Sequence, residues 1–154
     1  LYEGLSIGKE GHVGLITYMR TDSTHVAPSA ITETRDYIRD KYGARFLPPK
    51  PRNFTRKAKW AQEAHEAIRP TKVYRQPEQL KPFLDLAQLK LYELVWKRMV
   101  ASQMSAALYD TTNVEIKASN TERQSKGYLL KASSSVIRFP GFIAVYSESR
   151  DEDQ

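Results

Sequence analysis

Cysteine does not occur anywhere in the 154 residues. That excludes a disulfide framework and any cysteine-based zinc site. Histidine is scarce, and the separation of His12, His25 and His65 matches no common ligand pattern. No apolar run approaches a membrane span, and no signal peptide is visible. No internal repeat occurs. Acidic residues are outnumbered, 18 against 24 Lys and Arg, which leaves a formal charge of +6. The length suits one compact domain, or one plus a piece of another. The chain begins at Leu1 in mid-phrase, without an initiator methionine, and reads as an excised fragment.

The positive charge is unevenly placed. Residues up to Ser105 hold 18 Lys and Arg against 11 Asp and Glu, and the remainder holds 6 against 7. The densest stretch, residues 45–59, contains Arg45, Lys50, Arg52, Arg56, Lys57 and Lys59 with no acid. Phe46, Phe54 and Trp60 lie within or beside it. Cations interleaved with aromatics suit a single-stranded nucleic acid, where phosphates meet charge and bases stack on rings. A solvated basic loop is the plain alternative.

The pattern predicts an α+β fold: a mainly helical part over residues 1–105, then a few antiparallel strands over 106–154. A helix is expected over 28–42, with Pro28 in its first turn and Gly43 just past its end. Ile31, Thr34, Ile38 and Tyr42 follow helical spacing and mark its core face. A short helix is expected over 60–68, closed by Pro70. The longest should cover 86–103, capped by Asp85 with Gln88 as its reciprocal partner. Its buried stripe is Leu89, Tyr92, Trp96 and Met99 or Val100. Strands are expected over 108–118, 128–134 and 136–146, the last interrupted at Pro140-Gly141.

The chemistry concentrates at Tyr18-Met19-Arg20-Thr21-Asp22, introduced by Leu15-Ile16-Thr17. If residues 15–19 are extended, side chains alternate and Tyr18 and Arg20 share a face. A phenol there can act as a nucleophile on a phosphate, and a fixed cation can offset charge on the attacked phosphoryl oxygens. The bland alternative is a tyrosine packed at an edge beside an arginine paired with Asp22.

Residues 16–24, Ile-Thr-Tyr-Met-Arg-Thr-Asp-Ser-Thr, closely resemble the active-site motif of type IA DNA topoisomerases. Residues 62–71, Gln-Glu-Ala-His-Glu-Ala-Ile-Arg-Pro-Thr, are similar to the second signature of that family, in the right order. Met19, Glu66 and Arg69 resemble the bacterial topoisomerase I branch in particular. The resemblance implies that Tyr18 attacks a DNA phosphodiester and becomes joined to the 5′ phosphate, and that resealing needs no ATP. It implies that Arg20 stabilises the scissile phosphate. It also implies that His65 lies near the tyrosine, touches DNA and senses protonation.

Thr17, Asp22 and Arg69 are implied DNA contacts, joined by Arg52, Arg56, Lys57 and Lys59 of the basic stretch. Arg69 pairing with Glu66 is an equal alternative to its contact with phosphate, and Glu63 and Glu66 are read as supports of the helix. The strands after Ser105 resemble a return into the family's β-rich arch domain. The family also needs Mg2+, held by an acidic cluster in a separate domain, and no matching motif occurs here. The acidic end at Asp151-Glu152-Asp153 has the wrong context. The resemblance therefore implies a fragment inactive alone. It would work with the remaining domains of the same enzyme on single-stranded DNA, in the cytoplasm and at the nucleoid, without a membrane. A nucleic-acid-binding module without chemistry is the alternative.

Overall fold

The computed structural model describes residues 1–54, 65–118 and 127–147. The chain divides into two compact units: Leu1–Ser105 together with the chain from Phe142 onward, and Ala106–Gly141. The fold is an α+β mix of helices and two small antiparallel sheets.

In the first unit, β1 (Leu5–Ser6) and β2 (His12–Val13) form a short antiparallel ladder pairing Leu5 with Val13. Helix α1 (Pro28–Tyr42) begins with proline in its first turn, as expected. Gly43 ends it at φ +91°, a conformation that side chains with a Cβ rarely adopt, and donates its N–H to the Arg39 carbonyl. Ile31, Thr34 and Ile38 are buried on one stripe, while Tyr42 is half-buried. Thr34 satisfies its buried hydroxyl by donating to the Ala30 carbonyl at 2.8 Å. The four-residue helix α2 (Pro77–Leu80), absent from the sequence reading, precedes α3 (Leu86–Ser102).

Helix α3 starts as its sequence requires. Asp85 accepts from the Gln88 N–H at 2.8 Å, and the Gln88 side chain accepts from the Asp85 N–H at 3.2 Å. Tyr92, Trp96, Met99 and Val100 are buried, and Leu89 is half-buried. Two of these aromatics also carry polar atoms that need partners. Tyr92 Oη donates to the Arg75 carbonyl at 2.6 Å, and Trp96 Nε1 to the Val73 carbonyl at 2.7 Å. The core of the unit thus grips the chain just after Pro70. Burial pushes the Tyr92 phenol above its usual range, so it stays a neutral donor.

Two expected elements of this unit differ. Residues 60–64 of the expected short helix lie outside the described residues, and 65–69 are not helical. Their backbone is committed elsewhere. The Ala67 N–H donates to the His25 carbonyl at 2.7 Å, and the Arg69 carbonyl accepts from the Thr17 N–H at 2.9 Å. Thr71 N–H donates to the Leu15 carbonyl at 2.9 Å, which makes Ile16 and Pro70 an antiparallel bridge. Pro70 also disfavours the helical conformation at Arg69. His65 and Arg69 therefore do not share a helix face.

The second difference is residues 15–19. They make one bridge rather than a strand, and Leu15 and Ile16 are both buried in succession.

The second unit is an antiparallel hairpin of β3 (Leu108–Ala118) and β4 (Tyr128–Phe139). Thr112, Val114 and Ile116 face the same way and lie opposite Ser134, Ala132 and Leu130. Where two strands were expected, β4 runs unbroken through Ser135. It stops at Pro140, which has no N–H for the ladder, and Gly141–Ala144 form a turn of 3₁₀ helix. From Phe142 to Ser147 the chain groups with the first unit, whereas the sequence reading kept it with the strands. No helix among the described residues is long and apolar enough to cross a membrane.

Candidate active site

Tyr18 lies on the irregular segment that leads from the Ile16–Pro70 bridge to α1. The residue is half exposed, at 51%. Two aromatic neighbours fix its surroundings. The Tyr2 ring meets it edge-on at 5.4 Å between centroids, and the His65 imidazole lies at 6.2 Å, tilted by 34°. The His65 Nδ1 atom is buried, with no hydrogen-bond partner among the described residues. The phenol is thus reachable from solvent while its ring is held from two sides.

Tyr2 reaches this position because Gly14 lets the first residues run close to the strand before the tyrosine. A Cβ on Gly14 would come within 2.8 Å of the Tyr2 carbonyl oxygen. The Leu15 N–H donates to the Leu1 carbonyl at 2.8 Å in the same contact. Sequence reasoning gave Tyr2 no role. Its only signal is three-dimensional.

The segment carrying His65 is tied to the tyrosine segment by Thr17 and Glu66. Thr17 Oγ1 donates to the Ala67 carbonyl at 2.8 Å and accepts from the Arg69 N–H at 3.0 Å. Both capacities of this hydroxyl serve the backbone 50 to 52 residues away. Glu66 Oε1 accepts from the Ala27 N–H at 2.8 Å and from Arg69 Nε at 2.7 Å, and its Oε2 accepts from Arg69 Nη2 at 3.0 Å. Arg69 gives its remaining Nη1 to the Pro70 carbonyl, and only 13% of its side chain is exposed. Burial pulls the Glu66 carboxyl upward. The Arg69 guanidinium and the Ala27 N–H outweigh it and hold the group below the usual carboxylate range. Of the two readings of Arg69 made from sequence, pairing with Glu66 is the arrangement seen here.

Arg20 is held far less firmly. Its Nε contacts Asp22 Oδ2 at 2.7 Å, with side chains 52% and 47% exposed. A pair this wet contributes little, ~0–1 kcal/mol, so Arg20 can leave Asp22 for a phosphate at small cost. Ser23 Oγ accepts from the His25 N–H at 3.1 Å, and Thr24 Oγ1 donates to the Phe54 carbonyl. The structure brings Tyr18 and His65 together, keeps Arg20 nearby in sequence on a solvated loop, and turns Thr17 and Arg69 inward. Arg52 is half-buried. Arg56, Lys57, Lys59 and Glu63 lie outside the described residues.

The profile of a family described as DNA topoisomerase matches residues 1–154, the whole chain. The chain belongs to the type IA DNA topoisomerase family. Within that family it is most like bacterial DNA topoisomerase I. It is 49% identical over 151 residues to DNA topoisomerase 1 of Xylella fastidiosa, covering 98% of this chain and 18% of that protein. It is 48% identical over 153 residues to DNA topoisomerase 1 of Rickettsia conorii, covering 99% of this chain and 19% of that protein. Full-length topoisomerase I from Thermotoga maritima has a similar structure. Its TM-score is 0.73 at 35% identity, over 99% of this chain and 23% of that one. The chain therefore spans less than a fifth of the length of these two relatives.

The topoisomerase family implies Mg2+. Among the described residues no group of three His, Asp or Glu side chains comes together. The side chains seen against Tyr18 are the Tyr2 phenol and the His65 imidazole, which are not the carboxylate-rich oxygen donor set that Mg2+ takes. They do not fit the ion.

Proposed function

We propose that this chain works as the tyrosine-bearing part of a bacterial-type DNA topoisomerase I that breaks and reseals one DNA strand. The single observation that carries the reading is the solvent-reachable Tyr18 phenol, braced between Tyr2 and His65, within a segment matched end to end by the family. Tyr18 Oη attacks a backbone phosphorus. The bond from phosphorus to the 3′ oxygen breaks, the phenol gives up its proton, and the departing 3′ oxygen gains one. A free phenol has a pKa near ~10, so proton loss must accompany attack or follow activation by neighbours. The phosphate ester is exchanged rather than hydrolysed. Resealing reverses the step and needs no ATP.

Arg20 leaves Asp22 and places its planar fork on the non-bridging oxygens, where charge accumulates. His65 lies beside the phenol and offers a ring nitrogen that DNA or the reacting proton can engage. Thr17, Glu66 and Arg69 hold the His65 segment against the tyrosine segment, and Asp22 sets the resting place of Arg20. Mg2+ and the remaining half of the cleavage site belong to other domains of the enzyme, as does the strand-passage gate. The β3–β4 hairpin belongs to the β-rich arch. The enzyme acts on negatively supercoiled DNA in the cytoplasm, at the nucleoid.

A relaxation assay tests this reading. The 154-residue chain alone should leave supercoiled DNA unchanged. The same chain joined to the other domains of its relatives should relax it with Mg2+ and without ATP. Relaxation by the chain alone, or by the joined protein only when ATP is present, overturns the proposal.

A further inference from the structure

Between Tyr2 and Gly14 the chain leaves the tyrosine segment and comes back to it. Leu1 and Leu15 meet where this excursion closes, with the Leu15 N–H on the Leu1 carbonyl at 2.8 Å. The excursion is the β1–β2 hairpin, and its tip is a turn of 3₁₀ helix at Gly8–Glu10. Ile7 is buried in the core, while 48% of the Glu10 side chain is exposed. The reaction described above gives this hairpin no part.

Arg75 meets the hairpin from the other side. The residue is 9% exposed, a rare place for a guanidinium. All three of its side-chain nitrogens are engaged. Nε and Nη2 both donate to Glu10 Oε2, at 3.1 and 2.7 Å, and Nη1 donates to Thr71 Oγ1 at 3.0 Å. Thr71 passes the contact on. Its hydroxyl donates to the Gly14 carbonyl at 2.7 Å, and its N–H to the Leu15 carbonyl at 2.9 Å. Behind Arg75 the backbone is bolted to α3, by Tyr92 at Arg75 itself and by Trp96 at Val73. One planar fork thus ties the hairpin tip, the segment from His65 to Thr71, and the approach to Tyr18. Gly14, at the end of this relay, is the residue that seats Tyr2 against the Tyr18 ring.

We propose that Arg75 is a positioning residue for the nucleophile, setting the spacing of the Tyr2, Tyr18 and His65 rings through Glu10 and Thr71. Its side chain is committed to those two partners, so it acts on geometry and not on DNA contact. Small misplacements of a reacting group are costly even when their origin is remote. A lysine would supply the charge but not the fork that holds Glu10 and Thr71 together. The inference rests on the topoisomerase reading for the reaction that Arg75 serves. The clasp itself is a feature of this chain.

Two measurements test it. In the 154-residue chain, the edge-on contact of Tyr2 with Tyr18 should give a ring-to-ring nuclear Overhauser effect. That signal should weaken in Arg75→Met and in Glu10→Gln. In the multidomain enzyme, the rate constant of single-turnover adduct formation at saturating oligonucleotide should fall ~10²-fold in Arg75→Met. It should fall by less in Glu10→Gln and Arg75→Lys, with KM for the oligonucleotide unchanged in all three. Adding Glu10→Gln to Arg75→Met should slow the step no further, because both remove one contact. A purely structural role would lower the amount of adduct, as the folded fraction drops, and leave the rate constant at its wild-type value. Should Arg75→Met fail to fold, Glu10→Gln decides on both measurements. A wild-type rate constant or an unaltered ring-to-ring signal in a folded variant overturns the proposal. So does a loss confined to the amount of adduct, a rise in KM in place of a slower step, or absence of the signal in the wild-type chain. If the wild-type multidomain enzyme forms no adduct at Tyr18, the topoisomerase reading fails, and the ring-to-ring signal still decides the clasp.

Discussion

Replacing Glu66 by glutamine isolates the charge that holds the His65 segment in place. The carboxylate accepts from the Ala27 N–H and from two nitrogens of Arg69. Glutamine keeps one acceptor oxygen, loses the other, and leaves the Arg69 guanidinium without its counter-charge. Removing one partner of a fully buried pair costs ~3–5 kcal/mol. Here 27% of the Glu66 side chain and 13% of Arg69 remain exposed. Solvent therefore screens part of that loss, and about 2 kcal/mol is expected. For a unit of this size that is a drop in Tm of roughly 6–12 °C.

The pH dependence gives the sharper test. The folded-state pKa of Glu66 is depressed. Its contribution is therefore fully present above the unfolded value near ~4.3 and is lost as pH falls through the lower folded value. The gap in Tm between wild type and Glu66→Gln should be full at about pH 7 and close toward about pH 3. Other carboxylates titrate in both proteins and cancel in the difference. Thermal melts followed by circular dichroism at the two pH values measure it. A gap of equal size at both would refute the reasoning, because it would mean that shape and not charge makes the clamp.

Two further outcomes follow from the same geometry. Gly14→Ala places a Cβ 2.8 Å from the Tyr2 carbonyl oxygen. It should destabilise the chain by ~1–3 kcal/mol in urea titration, since neither backbone can yield freely. An unchanged midpoint would show that Tyr2 is not held there. In the multidomain enzyme, Arg20→Ala should slow single-turnover adduct formation by ~10²–10³-fold at every pH, because the guanidinium does not titrate. Arg20→Lys should recover only part of it, and full recovery would remove the case for a two-pronged contact.

The helices were legible in the sequence because their signals are local. Gly43 marks the end of α1, Asp85 and Gln88 the start of α3, and the spacing of Tyr92, Trp96 and Met99 the buried face of α3. The segment after residue 64 was not legible. Its backbone bonds go to Leu15, Thr17 and His25, whose proximity is a property of the fold. Residues 15–19 carry one bridge to Pro70 in place of a ladder, and both Leu15 and Ile16 are buried. β4 was split at Ser135 on composition, yet its pairing with β3 continues to Phe139. Tyr18, Arg20 and His65 are candidates through the two motifs and not through spacing. Tyr2 and Arg75 carried no sequence signal, since one acts through a ring contact and the other through a carboxylate 65 residues away.

The central claim is that Tyr18 is the nucleophile. The most direct measurement uses the multidomain enzyme and a single-stranded oligonucleotide labelled at its 3′ end. After denaturation and proteolysis, the label should travel with the peptide containing residues 15–20, joined through a 5′ phosphate to the Tyr18 phenol. Tyr18→Phe should abolish the adduct while its melting curve matches wild type. An adduct that persists in Tyr18→Phe, or one mapped to Tyr2 or any other residue, would contradict the account.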